Sequence, residues 1–290
     1  MATFIRECPH SRLKSIPQML RLSVVFAFLI LTNLMLTSVP CFAEKTSSRA
    51  EARPAPQQEE SVKPGINDRF LDPELNVDEW LGRFEIESRE VYGARERVLD
   101  AIGLKQGQTV ADIGAGTGFY SKLFASTVGE SGWVYSVDIA PSFLKHINKQ
   151  AEVDCVRNLT CVLGTERSVC LPPNSVEFVF ICDTYHHFEY PQSTLASIRR
   201  ALKPGGTLVV IDFERIPGES REWTLGHVRA GKEVFQKEIV DSGLTFVEEV
   251  QIRHQRRSVV QRARMNSRHG SRAGRVDGTA TAVLCGTICS

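Results

Sequence analysis

The chain has almost no excess of charge of either sign. Its 290 residues carry 35 Lys and Arg against 34 Asp and Glu, a net charge of +1. Bulk charge therefore gives no argument for a nucleic-acid partner. No internal repeat is visible, which sets aside repeat architectures. The cysteines beyond the first segment, at 155, 161, 170, 182, 285 and 289, form no C-x-x-C pair. A structural zinc knuckle and a thioredoxin-like redox site thus have little support. Cys182, at the end of an apolar run, reads as a small core residue rather than a nucleophile. What is present, 42% hydrophobic and 24% charged residues, suits one medium globular domain with appendages.

The appendages come first. Arg6, Arg12, Lys14 and Arg21 precede the apolar run Leu22–Leu31, which extends to Leu36, and Ser38-Val39-Pro40-Cys41-Phe42-Ala43 ends in a small residue. That order reads as a secretory signal peptide over 1–43, cleaved after Ala43. Its rival is an uncleaved anchor over residues 20–39. Both place the rest of the chain outside the cytoplasm. Residues 44–66, rich in Pro, Glu, Gln, Ser and Ala, read as a disordered linker. Residues 67–105 read as a helical lid. It includes a helix from a Ser88 cap to Ile102, closed by Gly103, and Glu85, Arg89 and Tyr92 are its candidate cofactor-facing residues.

From Thr109 the pattern alternates strand and helix, as a mostly parallel, doubly wound α/β sheet with helices on both faces requires. Strands are predicted near 109–113, 133–138, 159–163, 176–182 and 207–212. Helices are predicted near 118–128, 141–149, 191–202 and 228–241, and a sixth strand over 244–250. The organising stretch is Asp112-Ile113-Gly114-Ala115-Gly116-Thr117-Gly118-Phe119. Alternating glycines after a strand let a ligand approach the backbone, and the next helix offers its first amides to negative groups. A dinucleotide fingerprint would have its third glycine where Phe119 stands.

This G-x-G-x-G spacing resembles the first motif of class I S-adenosylmethionine-dependent methyltransferases. Three features strengthen the resemblance: Asp138 ends the second strand, Gly164-Thr165-Glu166 follows the third, and Leu202-Lys203-Pro204-Gly205-Gly206 matches a superfamily signature. Asp183-Thr184-Tyr185-His186-His187-Phe188 and Ile211–Gly218 resemble a bacterial subgroup of these enzymes. The resemblance covers roughly 91–250, within a domain drawn at 106–252. It implies a Rossmann-like fold, S-adenosylmethionine as cofactor, and direct methyl displacement onto a small-molecule acceptor, with no obligate protein partner. Gly114, Ala115, Gly116 and Gly118 would line the donor's amino-acid end, Asp112 its ammonium and Asp138 its ribose. Thr165 and Glu166 would lie near the adenine. An extracellular location conflicts with a donor made in the cytoplasm.

On the acceptor side stand Asp183, His186 and His187. Histidine titrates near neutrality and serves as a general base. Two adjacent histidines on extended backbone cannot both face one substrate, so His186 is favoured. No metal is expected, because His186, His187 and Asp183 lack a spaced partner ligand. His227 and Arg229, near the start of the late helix, have two readings, contact with an anionic acceptor or surface residues, and the second is favoured. The alternatives to an enzyme of this class are a non-catalytic nucleotide-cofactor-binding protein of the same fold and an NAD-dependent oxidoreductase.

The last segment departs from the resemblance. Residues 253–290 hold eight arginines up to Arg275, one acid, Asp277, and no aromatic residue. Such domains finish with an antiparallel seventh strand between strands five and six, which makes that strand doubtful here. Three readings stand: a basic arm for nucleic acid or anionic lipid, a long loop with Thr279–Cys285 returning as the strand, and translation in a shifted frame. The last is favoured, because composition and pattern change together. It predicts a fifth strand unpaired on one edge.

Overall fold

A computed structural model describes residues 58–87, 89–251, 259–265 and 282–286. The leader, the first part of the linker, the Ser88 cap and most of the Arg-rich segment lie outside these residues. Among the described residues no helix is long and apolar enough to cross a membrane.

Four short helices come first: α1 (Asp68–Leu71), α2 (Val77–Glu87), α3 (Arg89–Gly93) and α4 (Arg95–Ile102). Then follow β1 (Thr109–Ile113), α5 (Phe119–Val128), β2 (Trp133–Asp138), α6 (Pro141–Val153), β3 (Leu159–Leu163), β4 (Val176–Cys182), a 3-10 turn (Tyr185–His187), α7 (Pro191–Ala201) and β5 (Leu202–Asp212). The chain closes with α8 (Glu222–His227), α9 (Lys232–Asp241), β6 (Thr245–Gln251), β7 (Val259–Arg264) and β8 (Ala282–Gly286). The strand order is β3-β2-β1-β4-β5-β8-β7-β6, a doubly wound, Rossmann-like sheet. β1 pairs in parallel with both β2 and β4. The order reverses between β1 and β4, and their carboxyl ends open a crevice there.

The apolar runs explain the centre. Val110, Val134, Val179, Leu208 and Val209 are fully buried, as expected where helices cover a parallel sheet. α6 starts on Pro141, which suits the first turn, and buries Phe143, Leu144 and Ile147 at helical spacing. α7 repeats the device with Pro191 and buries Leu195 and Ile198.

Four expectations need correction. The helix expected to run unbroken to Ile102 is interrupted at Ala94, whose φ of −98° and ψ of 9° leave helical geometry. Residues 58–66, assigned to the linker, lie against the domain. Glu59 there accepts the Gln192 and Ser193 amides at 2.8 and 2.7 Å, capping α7 from a distant segment. The late helix starts at Lys232 rather than Val228, which is extended, and a separate short helix, α8, precedes it. Finally, β5 is not left with a bare edge. β8 pairs with it in parallel from Leu208 to Asp212, and β7 meets it antiparallel at Thr207. β7 also pairs antiparallel with β6. The Arg-rich segment therefore supplies strands, because Val259-Val260-Gln261-Arg262-Ala263-Arg264 still carries β-branched residues at its start.

Candidate functional site

The crevice at the β1–β4 switch holds a cavity of about 780 Å³, ample for a cofactor with a small acceptor. Its first wall is backbone. Gly114, Gly116 and Gly118 have φ of 70°, 52° and 82°, values that side chains rarely tolerate. A Cβ on Gly114 would lie 2.2 Å from Thr184 Cγ2, and one on Gly116 would lie 3.0 Å from the Phe84 ring. Both glycines line the cavity. Gly118 instead starts α5 and packs on Ile147, while Ala115 sits in a small apolar cluster with Leu144 and Ile147.

Asp138 fastens this loop. Its Oδ2 accepts the Gly116 amide and its Oδ1 the Ala140 amide, both at 2.8 Å. Burial raises its pKa to about 6, against the lowering effect of those amides. Asp138, Thr165 and Glu166 all face the cavity. Asp112 does not. It lies 3% exposed beneath α5, where Ser121 Oγ donates to it at 2.6 Å and Ser136 donates to Ser121 at 2.8 Å. Burial lifts its pKa to about 7. The expectation that Asp112 meets the donor's ammonium is therefore corrected: its side chain follows the alternation of β1 to the helix side.

The opposite wall is built of side chains. Asp183, at a φ of +49°, leads into the Tyr185–His187 turn. The chain is not extended there, so the expectation that only one histidine faces the site fails. Both His186 and His187 line the cavity, their ring centroids 4.3 Å apart. His227 joins them at 4.9 and 5.0 Å from the two rings, stacked on Trp223 at 4.6 Å. This corrects its reading as a surface residue. Arg229 is not a surface residue either. It forms a two-pronged ion pair with Glu238 at 2.8 and 2.6 Å, and Glu238 also accepts from Tyr185 Oη at 3.0 Å. That network ties α9 to the turn that presents the histidines.

Asp212, at the end of β5, orients His186. Its Oδ1 lies 2.7 Å from His186 Nδ1 and accepts the Phe213 amide at 2.7 Å, while Oδ2 accepts the His186 amide at 2.9 Å. Two backbone amides favour the carboxylate, but burial outweighs them and raises the Asp212 pKa to about 7; when the carboxylate is ionised, His186 Nδ1 donates to it. Burial pushes the imidazole down to about 3, which keeps the ring neutral. With the Asp212 carboxylate ionised, Nε2 carries the ring's lone pair, and it is buried without a hydrogen-bond partner. Burial also lowers His187 well below its ordinary value and His227 to about 4. The sequence reading missed Asp212 as a site residue. Its signal was an acid closing an apolar strand, the same signal that identified Asp138.

The lid covers both walls with aromatic rings. Phe70, Trp80 and Phe84 line the cavity, with Phe70 and Trp80 centroids 4.9 Å apart and Trp80 and Phe84 5.4 Å apart. Tyr92 stacks outside on Phe119 at 4.2 Å, so it is not a cofactor-facing residue. The side chains of Glu85 and Arg89 lie outside the described ones. Buried Asn67 ties the lid to both walls, its Nδ2 donating to Glu166 Oε1 at 3.1 Å and to the His187 carbonyl at 3.2 Å.

Comparison with known proteins agrees with this architecture. Residues 111–210 match the model of a methyltransferase domain. Over 118 residues the chain is 32% identical to the ubiquinone/menaquinone biosynthesis C-methyltransferase UbiE of Escherichia fergusonii, an alignment covering 40% of this chain and 47% of that protein. The homologue from Citrobacter koseri matches to the same extent. The chain thus spans about half the length of these relatives. Among solved structures, a SAM-dependent methyltransferase from Aquifex aeolicus superposes with a TM-score of 0.51 at 25% identity, over 58% of this chain and 86% of that one. A phosphoethanolamine N-methyltransferase from Haemonchus contortus, solved with S-adenosyl-L-methionine, shares the fold with a TM-score of 0.54 at 20% identity, covering 64% of this chain and 46% of that one.

Proposed function

We propose that this chain, which carries a methyltransferase domain over residues 111–210, is an S-adenosylmethionine-dependent enzyme that methylates a small-molecule acceptor by direct displacement. One observation carries the reading. The cavity joins a positive-φ glycine loop, fastened by Asp138, to an imidazole nitrogen held bare by Asp212. The residues fit the cofactor. Gly114 and Gly116 leave room where any side chain would collide, so the amino-acid end has a backbone cradle. Asp138 retains lone pairs beyond its two amide bonds for the ribose hydroxyls. Thr165 and Glu166 stand at the adenine side.

Bound S-adenosylmethionine supplies a methyl group activated by a sulfonium. The protein aligns the acceptor opposite that sulfur and excludes water, and positioning of this kind accounts for a large share of the barrier reduction. Phe70, Trp80 and Phe84 exclude water from above. His186 faces the acceptor with its lone pair, and Asp212 keeps that ring in one tautomer. The basic and apolar leader supports export of the chain.

Calorimetry tests the cofactor assignment. The folded protein should bind S-adenosylmethionine and S-adenosylhomocysteine saturably and NAD not at all. Saturable NAD binding without S-adenosylmethionine binding would overturn it. Release of S-adenosylhomocysteine across an acceptor panel tests turnover, and bound donor with no release from any acceptor would favour a non-catalytic binder.

A further inference from the structure

The cavity wall holds more than one base needs. One nitrogen from each of His186, His187 and His227 lies within 4.8 Å of the others. Two ring nitrogens of the cluster residues, His186 Nε2 and His187 Nδ1, are buried with no hydrogen-bond partner. An unsatisfied buried acceptor is unfavourable. Two such nitrogens beside a third imidazole suit a shared ligand. A cation that accepts neutral nitrogen does fit.

We propose that His186 Nε2, His187 Nδ1 and His227 bind one divalent transition-metal ion of the zinc class. Several features of the wall suit it. Imidazole nitrogens are preferred ligands of zinc and its neighbours. Three protein ligands leave a fourth position open, and here it opens to the cavity. A zinc-bound histidine usually gives its other nitrogen to a carboxylate or carbonyl. Asp212 holds His186 Nδ1 in that way at 2.7 Å. In a tetrahedral site the nitrogens stand about 3.4 Å apart, so side-chain rotation must close the cluster by roughly an ångström.

Charges of both signs face the cluster. Lys63, held by the Gly226 and His227 carbonyls at 3.2 and 2.8 Å, opposes a cation, as does Arg69, which also acts on His227. Asp212 behind His186 and Asp183 and Glu222 on the lining favour one. The metal site stands independently of the methyl-transfer reading. Its consequence rests on that reading: with its Nε2 on the ion, His186 would no longer act as the base, and the ion would instead acidify an acceptor O–H or S–H at the open position, whose proton would leave to solvent. The freed lone pair then forms the new bond to the donor methyl as the methyl–sulfur bond breaks, leaving a neutral thioether.

The test uses the full, untagged chain, stripped with a chelator and titrated with zinc by calorimetry. One ion per chain should bind. His227→Phe keeps the stack on Trp223 but removes the ligand, and should weaken zinc at least about a hundredfold. His227→Cys should restore most of the affinity, and Asp212→Asn should cost about tenfold or more. Absence of saturable binding by the wild type, or unchanged binding by a folded His227→Phe, overturns the site. S-adenosylmethionine titrated into the zinc-free protein separates the two proposals. Donor binding without zinc binding sinks only the metal, and zinc binding without donor binding sinks only the methyl-transfer reading.

Discussion

The two walls of the cavity are made differently. The glycine-loop wall is mostly backbone, drawn from adjacent residues at the end of one strand, with a single carboxylate as its fastener. The histidine wall is side chain throughout. It is gathered from the Tyr185–His187 turn, the end of β5 and the end of α8, and is held in place from behind by Asp212 and by the Arg229–Glu238–Tyr185 network. The contrast separates two tasks. A backbone wall grips whatever has the donor's shape and changes little with side-chain substitution other than at its glycines. A side-chain wall specifies chemistry, and it also depends on remote packing. Changes on the first wall should act on donor affinity, and changes on the second on turnover.

The largest break in that division should come from Gly116→Val. The new side chain would sit at a φ of 52° with its Cβ 3.0 Å from the Phe84 ring. Donor affinity should fall by about a hundredfold or more, about 2.7 kcal/mol, read by calorimetry. Normal binding would remove the loop from the site. On the other wall, His186→Ala should lower turnover by about a hundredfold while the donor Kd stays within error. A shift in donor Kd of the same size would erase the distinction between the walls.

Smaller effects sharpen the boundary. Asp138→Ala should weaken the donor by more than about 1.5 kcal/mol through loss of charge-assisted bonds. The wild-type carboxyl has its pKa raised to about 6, so donor affinity should decline as pH falls through 6, and the variant should show a flat profile. Asp112→Asn should leave the donor Kd unchanged. Its readout is stability. Folding lifts this carboxyl from 3.8 to about 7, so its contribution is whole below the unfolded value and is lost as pH rises through the folded one. Asparagine does not ionise. The variant's Tm should exceed the wild type's at pH 8, with the gap closing toward pH 4, and an equal gap at both would refute the burial argument.

The backbone wall was legible in the sequence and the side-chain wall only in part. β1 to β4 have the bounds that the apolar runs predict, because each run ends in a turn or an acid. Gly114 and Gly116 could be read because positive φ at close approach admits little else. Asp112 misled because the same strand period that brings one residue to the cavity sends its neighbour beneath α5. His227 could not be found. It lies forty positions from His187 and follows no periodicity, so nothing in the sequence favours it over a surface residue at the end of α8. β7 was hidden by composition: its arginines suggested an arm, while β6 offered a partner edge that the sequence does not display.

Asn67 has a consequence for how the two ligands communicate. Its one amide nitrogen touches Glu166 on the side proposed for the donor and the His187 carbonyl on the side proposed for the acceptor, so a ligand that tightens either contact alters the other's surroundings. Coupling of this kind is mutual: the factor by which donor strengthens zinc must equal the factor by which zinc strengthens donor. Titrating zinc with and without S-adenosylhomocysteine measures that factor, and Asn67→Ala should bring it toward unity. A factor that survives the substitution would mean that the two chambers converse through some other part of the protein.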